Sequence, residues 1–414
     1  MKNNYLPTDY QTFIATSRYA RWLEDEGRRE TWTETVERYI DNIIKPVTSE
    51  KFDLDLIRHH ILSLQVMPSM RSMMTAGKAS MRDNTCMYNC SYLPVDDPKS
   101  FDEAMFILLC GTGVGFSVER QFITKLPDVP TLFDSETTVV IKDSKEGWAK
   151  GLRQILALLW AGEIPKWDVS RVRPAGARLK TFGGRASGPA PLVDLFMFAV
   201  NTFKGAEGRR LSSIECHDLM CKIGEVVVVG GVRRSAMISL SNLSDDRMRH
   251  AKSGNWWDNA AHRALANNSV SYSEKPDSIA FMREWGALME SGSGERGIFN
   301  REASVNQAAK NGRRETCYEF GTNPCSEIIL RPNQFCNLSE VVIREADSIE
   351  DIARKVRVAT ILGTIQATYT HFPYLRKVWT NNTEAERLLG VSLTGIMDNP
   401  LMTMKNKGLS DTLE

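Results

Sequence analysis

Two thiols and a carboxylate fall close together in "TNPCSEIILRPNQFC", Thr322 to Cys336. Cys325 has Asn323, Pro324, Ser326 and Glu327 as neighbours, whereas a purely structural cysteine normally sits among apolar residues. Pro324 removes a backbone donor and fixes the local dihedral. In an extended segment Glu327, two residues on, shares a face with Cys325. A nearby anion disfavours a thiolate, so Glu327 argues against Cys325 as a nucleophile. A thiol kept neutral beside a base suits hydrogen-atom chemistry better. On these residues alone, Cys325 stays open between a structural and a functional role.

The other cysteines carry weaker signals. "CMYNC" holds Cys86 and Cys90, but an iron–sulfur motif for S-adenosylmethionine needs a further cysteine where Leu93 stands. Cys216, His217 and Cys221 in "ECHDLMC" suggest zinc, yet zinc motifs usually pair two close-spaced ligand couples. Their context reads as an amphipathic helix, so buried structural thiols are the better reading, as for Cys110 and Cys317. A zinc protein built on Cys216, His217 and Cys221 stands as the minor alternative.

Elements that position these residues follow from patterning. Residues 10–80 read as helical: "YARWLEDEGRRETWTETVERYIDNII" is charged and amphipathic, and "DLDLIRHHILSLQV" forms a second helix ending near Pro68. From about residue 85, short apolar or β-branched runs alternate with helical stretches. "FDEAMFILL" leads into "GTGVGFSVE", "TTVVI" precedes "GWAKGLRQILALLWA", and "DLMCKIGEVVVVG" precedes "AMISLS". That alternation predicts an α/β architecture.

Two loops are rich in glycine and arginine: "VRPAGARLKTFGGRASGP", Val172 to Pro189, and "GGVRRSA", Gly230 to Ala236. Glycines let backbone amides approach a phosphate, and arginines supply bidentate partners. Neither loop is a P-loop, because no Gly-Lys-Ser/Thr follows. "GTGVGF", Gly111 to Phe116, reads more readily as a tight turn than as a nucleotide site.

The bulk composition excludes several classes. A net charge of +1 over 414 residues gives no field aimed at nucleic acid or an anionic membrane. Apolar runs such as "VVVV", Val226 to Val229, are too short to span a bilayer. "MKNNYLPTDYQTF" has no apolar core and does not read as a signal peptide. Eight cysteines are too few for a disulfide scaffold of this length, and a cytoplasmic location is expected.

Taken in order, "MPSMRSMMTAG", "GTGVGFSVER", "RPAGARLKTFGGRASGP", "GGVRRSA", "ANNSV", "GTNPCSEI", "FCNLSEV" and "RLLGVSLTGIMD" resemble the motif series of ribonucleotide reductases. The likeness runs from about residue 65 onward and is most like the adenosylcobalamin-dependent (class II), single-chain ribonucleoside-triphosphate reductases. The Cys325–Cys336 spacing and "GGVRRSA" carry that finer assignment.

The resemblance implies the first part of a ten-stranded α/β barrel with an active-site finger loop, preceded by an N-terminal helical region. It places the helical region over 1–84, barrel elements over 85–414 and the finger loop over about 321–340. Cys325 matches the thiyl-radical cysteine that takes the ribose 3′-hydrogen, with adenosylcobalamin as the radical source. Glu327 matches the base for the 3′-hydroxyl proton, and Asn323 the amide that binds the ribose hydroxyls. Cys336 matches one member of a redox-active pair whose partner is Cys90. Such a radical must be shielded from water, which explains housing it in a barrel.

Substrate contacts are implied at Ser69, Asn89, Cys90, Gly113, Asn323, Pro324, Cys325, Ser326 and Glu327. A deoxynucleoside triphosphate effector is expected at elements near 97–109 and 120–240, with Asp97, Ser100, Arg173, Arg178, Lys180, Gly183 and Gly184. The specificity loop would be Gly230, Gly231, Val232, Arg233, Arg234 and Ser235. No metal-ligand residues are expected.

Two departures stand out. Ser326 occupies a position where the family commonly has glycine, and its Cβ fits if the backbone there needs no positive φ. The segment from Leu126 to Lys142 looks short for a large effector insertion. The sequence also lacks the family's later phosphate loop, most cobalamin contacts and the C-terminal cysteine pair that accepts electrons from thioredoxin. It therefore reads as the N-terminal portion of a split or truncated reductase, completed by a complementary C-terminal chain and served by a thioredoxin-like reductant. Alternatives are a large subunit served by a separate metallo-radical protein, or a non-catalytic deoxynucleotide-binding fragment.

Overall fold

A computed structural model describes residues 5–48, 52–177, 185–229 and 236–403. The chain divides into two compact units: Met1–Asn89 with Phe335–Pro373 and Trp379–Glu414, and Cys90–Gln334 with Tyr374–Val378.

The second unit is built on parallel strands. Gly297–Asn300, Ala266–Tyr272, Met237–Asn242, Gly113–Ser117 and Cys90–Pro94 lie side by side in that order, each parallel to its neighbour. Parallel neighbours need crossover segments, supplied here by helices such as Lys99–Leu109, Ser213–Val229 and Ser278–Ser291. Helix Lys99–Leu109 is buried from Ser100 to Leu109, so "FDEAMFILL" is enclosed all round rather than along one stripe. Its two carboxylates are paired rather than solvated. Asp102 takes a hydrogen bond from Tyr374 Oη at 2.7 Å and pairs with Arg153 at 2.7 Å. Glu103 is bound by Arg376. Those two contacts tie the short Tyr374–Val378 segment into this unit.

A smaller βαβ element lies within the same unit. Strands Phe133–Val140 and Glu163–Asp168 pair in parallel, joined by helix Lys145–Trp160, whose Ser144 N-cap accepts from Gly147 N. The strand–helix alternation expected from patterning is thus present in both sheets.

In the first unit, strand Gln334–Val342 pairs antiparallel with Val66–Met67 and parallel with Leu389–Thr394, and helix Ile349–Gln366 provides the crossover. Phe335 packs against Tyr88, Phe372 and Trp379, with ring centroids 4.7 to 5.3 Å apart. The long helix expected around Tyr19 to Ile44 is interrupted. A hairpin of Trp22–Leu23 and Arg28–Arg29 intervenes, and helix Trp32–Tyr39 restarts behind a Thr31 capping box. The preceding helical stretch has already ended at Tyr19, and Gly27, at φ +62°, supplies the turn between the two hairpin strands.

Candidate functional site

The "GTNPCSEIIL" segment folds as a small hairpin of the second unit. Strands Gly321–Thr322 and Ile329–Leu330 pair antiparallel, and the six residues between them form the tip. Ser326 N donates to Asn323 O at 3.0 Å, closing a turn with Pro324 and Cys325 at its centre. Asn323 is fully buried and its side chain bridges two partners. Its Oδ1 accepts from Ile328 N at 3.0 Å, and its Nδ2 donates to Cys90 Sγ at 3.4 Å. Cys325 and Glu327 are exposed at the tip, while Pro324 is buried. Burial of its surroundings, then the Glu327 carboxylate, then Cys90 push the Cys325 thiol up from its ordinary value. Partial desolvation of the thiol, not Glu327, is the larger cause.

How the hairpin reaches Cys90 is explained by glycines. A Cβ on Gly115 would lie 1.7 Å from Thr322 O, and one on Gly113 would lie 2.9 Å from Pro324 Cγ. Both glycines are on strand Gly113–Ser117, two residues apart and so on one face. "GTGVGF" is therefore neither a tight turn nor a phosphate cradle in its central part: it is a strand stripped of side chains so that the hairpin can lie on it. Gly321 plays the reciprocal part, since a Cβ there would lie 2.1 Å from the Tyr92 ring.

Ser326 departs from the expectation attached to it. Its φ is +66°, the left-handed region that favours glycine, so the residue fits only at the cost of local strain.

The structure brings Cys90, Gly113, Asn323, Pro324, Cys325 and Glu327 together within one unit. Cys90 opens its strand in register with Gly113 and is half-buried. In the other unit, Ser69 N-caps helix Met70–Thr75 and its hydroxyl bonds to the Asn89 side chain. Cys336 is buried in strand Gln334–Val342 of that unit.

Among the expected effector residues, Asp97 accepts from Lys99 N at 2.8 Å and pairs with Arg376 at 3.1 Å. Ser100 is buried and donates to Pro94 O at 3.0 Å. Arg173 pairs with Asp143 at 2.8 Å. Arg178, Lys180, Gly183, Gly184 and the whole of Gly230, Gly231, Val232, Arg233, Arg234 and Ser235 lie outside the described residues. Cys216 and Cys221 are buried in helix Ser213–Val229, and His217 Nε2 lies 2.9 Å from Asn268 Oδ1. No group of three or more His, Cys, Asp or Glu that could hold a metal occurs among the described residues.

Comparison with known proteins adds the decisive observation. A family model described as "B12-dependent ribonucleotide reductase, insertion domain" matches residues 124–203, and the "Ribonucleotide reductase alpha domain" model matches residues 2–77. This chain is similar to the B12-dependent ribonucleotide reductases in these segments. The adenosylcobalamin-dependent ribonucleoside-triphosphate reductase of Lactobacillus helveticus is 27% identical, with 92% of this chain and 60% of that protein covered. The enzyme of the same name from Lacticaseibacillus paracasei is 28% identical over the same shares, 92% and 60%. A crystal structure of a B12-dependent (class II) ribonucleotide reductase superposes with a TM-score of 0.73 at 25% identity, covering 95% of this chain and 63% of that one.

The likeness bears out the barrel-type α/β fold expected from the motif series. The chain spans about 60% of the length of the curated relatives it matches. The Leu126–Lys142 segment, which looked short for a large insertion, is only the first part of the matched one. The matched insertion domain runs over residues 124–203 and contains the whole smaller βαβ element. Among the described residues, no helix is long and apolar enough to cross a membrane.

Sequence reading missed the residues that hold the hairpin's base: Tyr92, Glu119, Arg301 and the Phe320 carbonyl. Glu119 stands in the quoted "SVER", so a signal was present. Only the fold pairs it with Arg301, 182 residues away.

Proposed function

We propose that this chain carries the radical thiol and its proton-handling partner in an adenosylcobalamin-dependent reduction of ribonucleoside triphosphates to 2′-deoxyribonucleoside triphosphates. One geometry carries the reading: Asn323 reaches Cys90 Sγ at 3.4 Å while Cys325, two residues on, stays exposed and protonated at the hairpin tip.

A protonated thiol at the tip fits a radical initiator, since the hydrogen atom to be exchanged is still on sulfur; adenosylcobalamin, when bound, supplies that initiating radical. Cys325, as a thiyl radical, takes the 3′-hydrogen of the ribose. Glu327 accepts the 3′-hydroxyl proton, and the Asn323 amide orients the hydroxyls. The 2′-hydroxyl leaves as water. Two electrons and two protons come from the Cys90 and Cys336 thiols, which end as a disulfide, and Cys325 returns the hydrogen atom to C3′. Ser69, Asn89, Gly113, Pro324 and Ser326 line the substrate.

The insertion-domain likeness favours cobalamin over a separate metallo-radical subunit. It also supports deoxynucleotide effector binding by Asp97, Ser100, Arg173 and the two Gly-rich loops. The remaining barrel elements, most cobalamin contacts and the cysteines that receive electrons from a thioredoxin-like reductant fall to a complementary C-terminal portion. The test is reconstitution with a second chain covering the relatives' remaining length, adenosylcobalamin and a dithiol. Absence of deoxynucleotide formation in Cys336→Ser, even in a single turnover, supports the reading. Equal multiple turnover in Cys336→Ser and the unmodified chain contradicts the role of the pair.

A further inference from the structure

The hairpin that carries Cys325 is anchored at its base by a buried ion pair that belongs to neither of its strands. Arg301 begins helix Arg301–Ala309, directly after strand Gly297–Asn300; Glu119 follows strand Gly113–Ser117. The two side chains are 5% and 1% exposed. The guanidinium forks onto both carboxylate oxygens, with Nη1 donating to Oε1 at 2.8 Å and Nη2 to Oε2. Its third edge is turned the other way: Nε donates to Phe320 O at 2.7 Å. That carbonyl immediately precedes Gly321–Thr322, the first strand of the hairpin. Glu119 is fixed in turn by Ser117 Oγ at 2.7 Å and Gln121 Nε2 at 3.1 Å.

We infer that Arg301, held by Glu119, is a positioning residue for the radical hairpin: it sets where the hairpin leaves the sheet, and through Asn323 where Cys325 stands relative to Cys90. Guanidinium geometry is what the task requires. A planar fork can satisfy a carboxylate with two parallel bonds and still present a third donor at a fixed angle. A lysine ammonium is a point charge and cannot hold both partners in one plane. The tip is bonded to Cys90 through Asn323, and the second strand is held by Arg314 Nη2, which donates to Ile329 O at 3.0 Å; the first strand is otherwise held by close packing, Gly115 under Thr322 and Gly321 against Tyr92, which limits approach without fixing position along the strand. The bond to Phe320 O is therefore the directional restraint where the chain enters the first strand. The proposal rests on the functional reading only in calling the hairpin catalytic.

The test is hydrogen exchange on the chain itself, needing no cobalamin, substrate or partner, so its failure is separate from failure of the reductase reading. Arg301→Lys keeps a buried cation opposite Glu119. The amides of Ser326 and Ile328, both bonded to Asn323, should exchange at least ten-fold faster than in the unmodified chain. The amide of Leu240, in the adjoining sheet, should change less than three-fold. Equal acceleration at all three sites, or none at the hairpin, overturns the inference and leaves a general stabilising pair. If Arg301→Lys does not fold, the charge-free double variant Glu119→Gln/Arg301→Gln is measured in the same way. Loss of folding in both variants also overturns it, because the pair would then be a folding determinant.

Discussion

Replacing Gly115 by alanine tests how the hairpin is seated. The added Cβ would lie 1.7 Å from Thr322 O and 2.9 Å from Thr322 C, against ordinary contact at 3.4 Å and beyond. The obstacle is backbone on a paired strand, so no side chain can swing aside. Either the hairpin retreats by about 1.7 Å or the sheet bends. Overpacking of this kind costs about 1 to 3 kcal/mol, and a displacement of about 1 Å near reacting groups costs roughly a hundred-fold in rate. The assay is thermal unfolding together with hydrogen exchange at Ser326 and Ile328. Gly115→Ala should lower stability by about 1 to 3 kcal/mol and expose both hairpin amides. Gly113→Ala, whose tight contact is the Pro324 ring at 2.9 Å and whose nearest backbone atom, Ala236 O, is at an ordinary 3.6 Å, should do so less. Gly286→Ala, in helix Ser278–Ser291 with no atom within 4 Å of the new Cβ, should stabilise by about 0.5 to 1 kcal/mol. Unchanged stability and unchanged hairpin exchange in Gly115→Ala would refute the reasoning.

Three further outcomes are expected. Ser326→Gly relieves a left-handed conformation worth about 1 to 2 kcal/mol, offset by about 0.4 to 1 kcal/mol of unfolded-chain entropy. A denaturant melt should therefore show stability equal to or slightly above the original, and a clear loss argues against strain at that residue. Glu327→Gln removes one of the charges that raise the Cys325 thiol, so the alkylation profile of Cys325 should move to lower pH without reaching that of an unburied thiol. An unmoved profile assigns the whole shift to burial. Asp102 is buried, and that burial pushes its carboxyl up to about 6 from 3.8, outweighing Arg153 and Tyr374. Its protonated form is favoured in the folded state, so the stability it contributes is full below the unfolded pKa and is lost as pH rises through about 6. Asp102→Asn should flatten the fall in stability across that window by on the order of 3 kcal/mol, as read from melts at pH 4 and 7; an unchanged fall contradicts it.

Much of the fold was legible because local patterning and packing agree. The runs "FDEAMFILL", "GWAKGLRQILALLWA" and "AMISLS" became the elements their periodicity predicts. The N-terminal helix was over-extended because its amphipathic pattern continues past Tyr19 and through the turn at Gly27, where backbone geometry rather than hydrophobicity decides. Cys325, Glu327 and Asn323 were legible because their chemistry sits in one short polar stretch. The purpose of Gly113 and Gly115 was not, since a glycine that makes room for a distant strand looks like a turn glycine until the strand is in place. Glu119 and Arg301 were invisible for the same reason: a buried pair 182 residues apart in sequence has no local signature. The positive φ of Ser326 contradicts side-chain propensity and falls at the last residue of the Asn323–Ser326 turn.

Cys325→Ser, measured in the complex completed with the complementary chain, adenosylcobalamin and a dithiol, tests the central claim most directly. The serine keeps size and polarity but holds its hydrogen too strongly to give it up to a radical initiator. The account predicts that deoxynucleotide formation falls below detection while the variant melts like the unmodified chain. Turnover that survives in a correctly folded Cys325→Ser complex would contradict it.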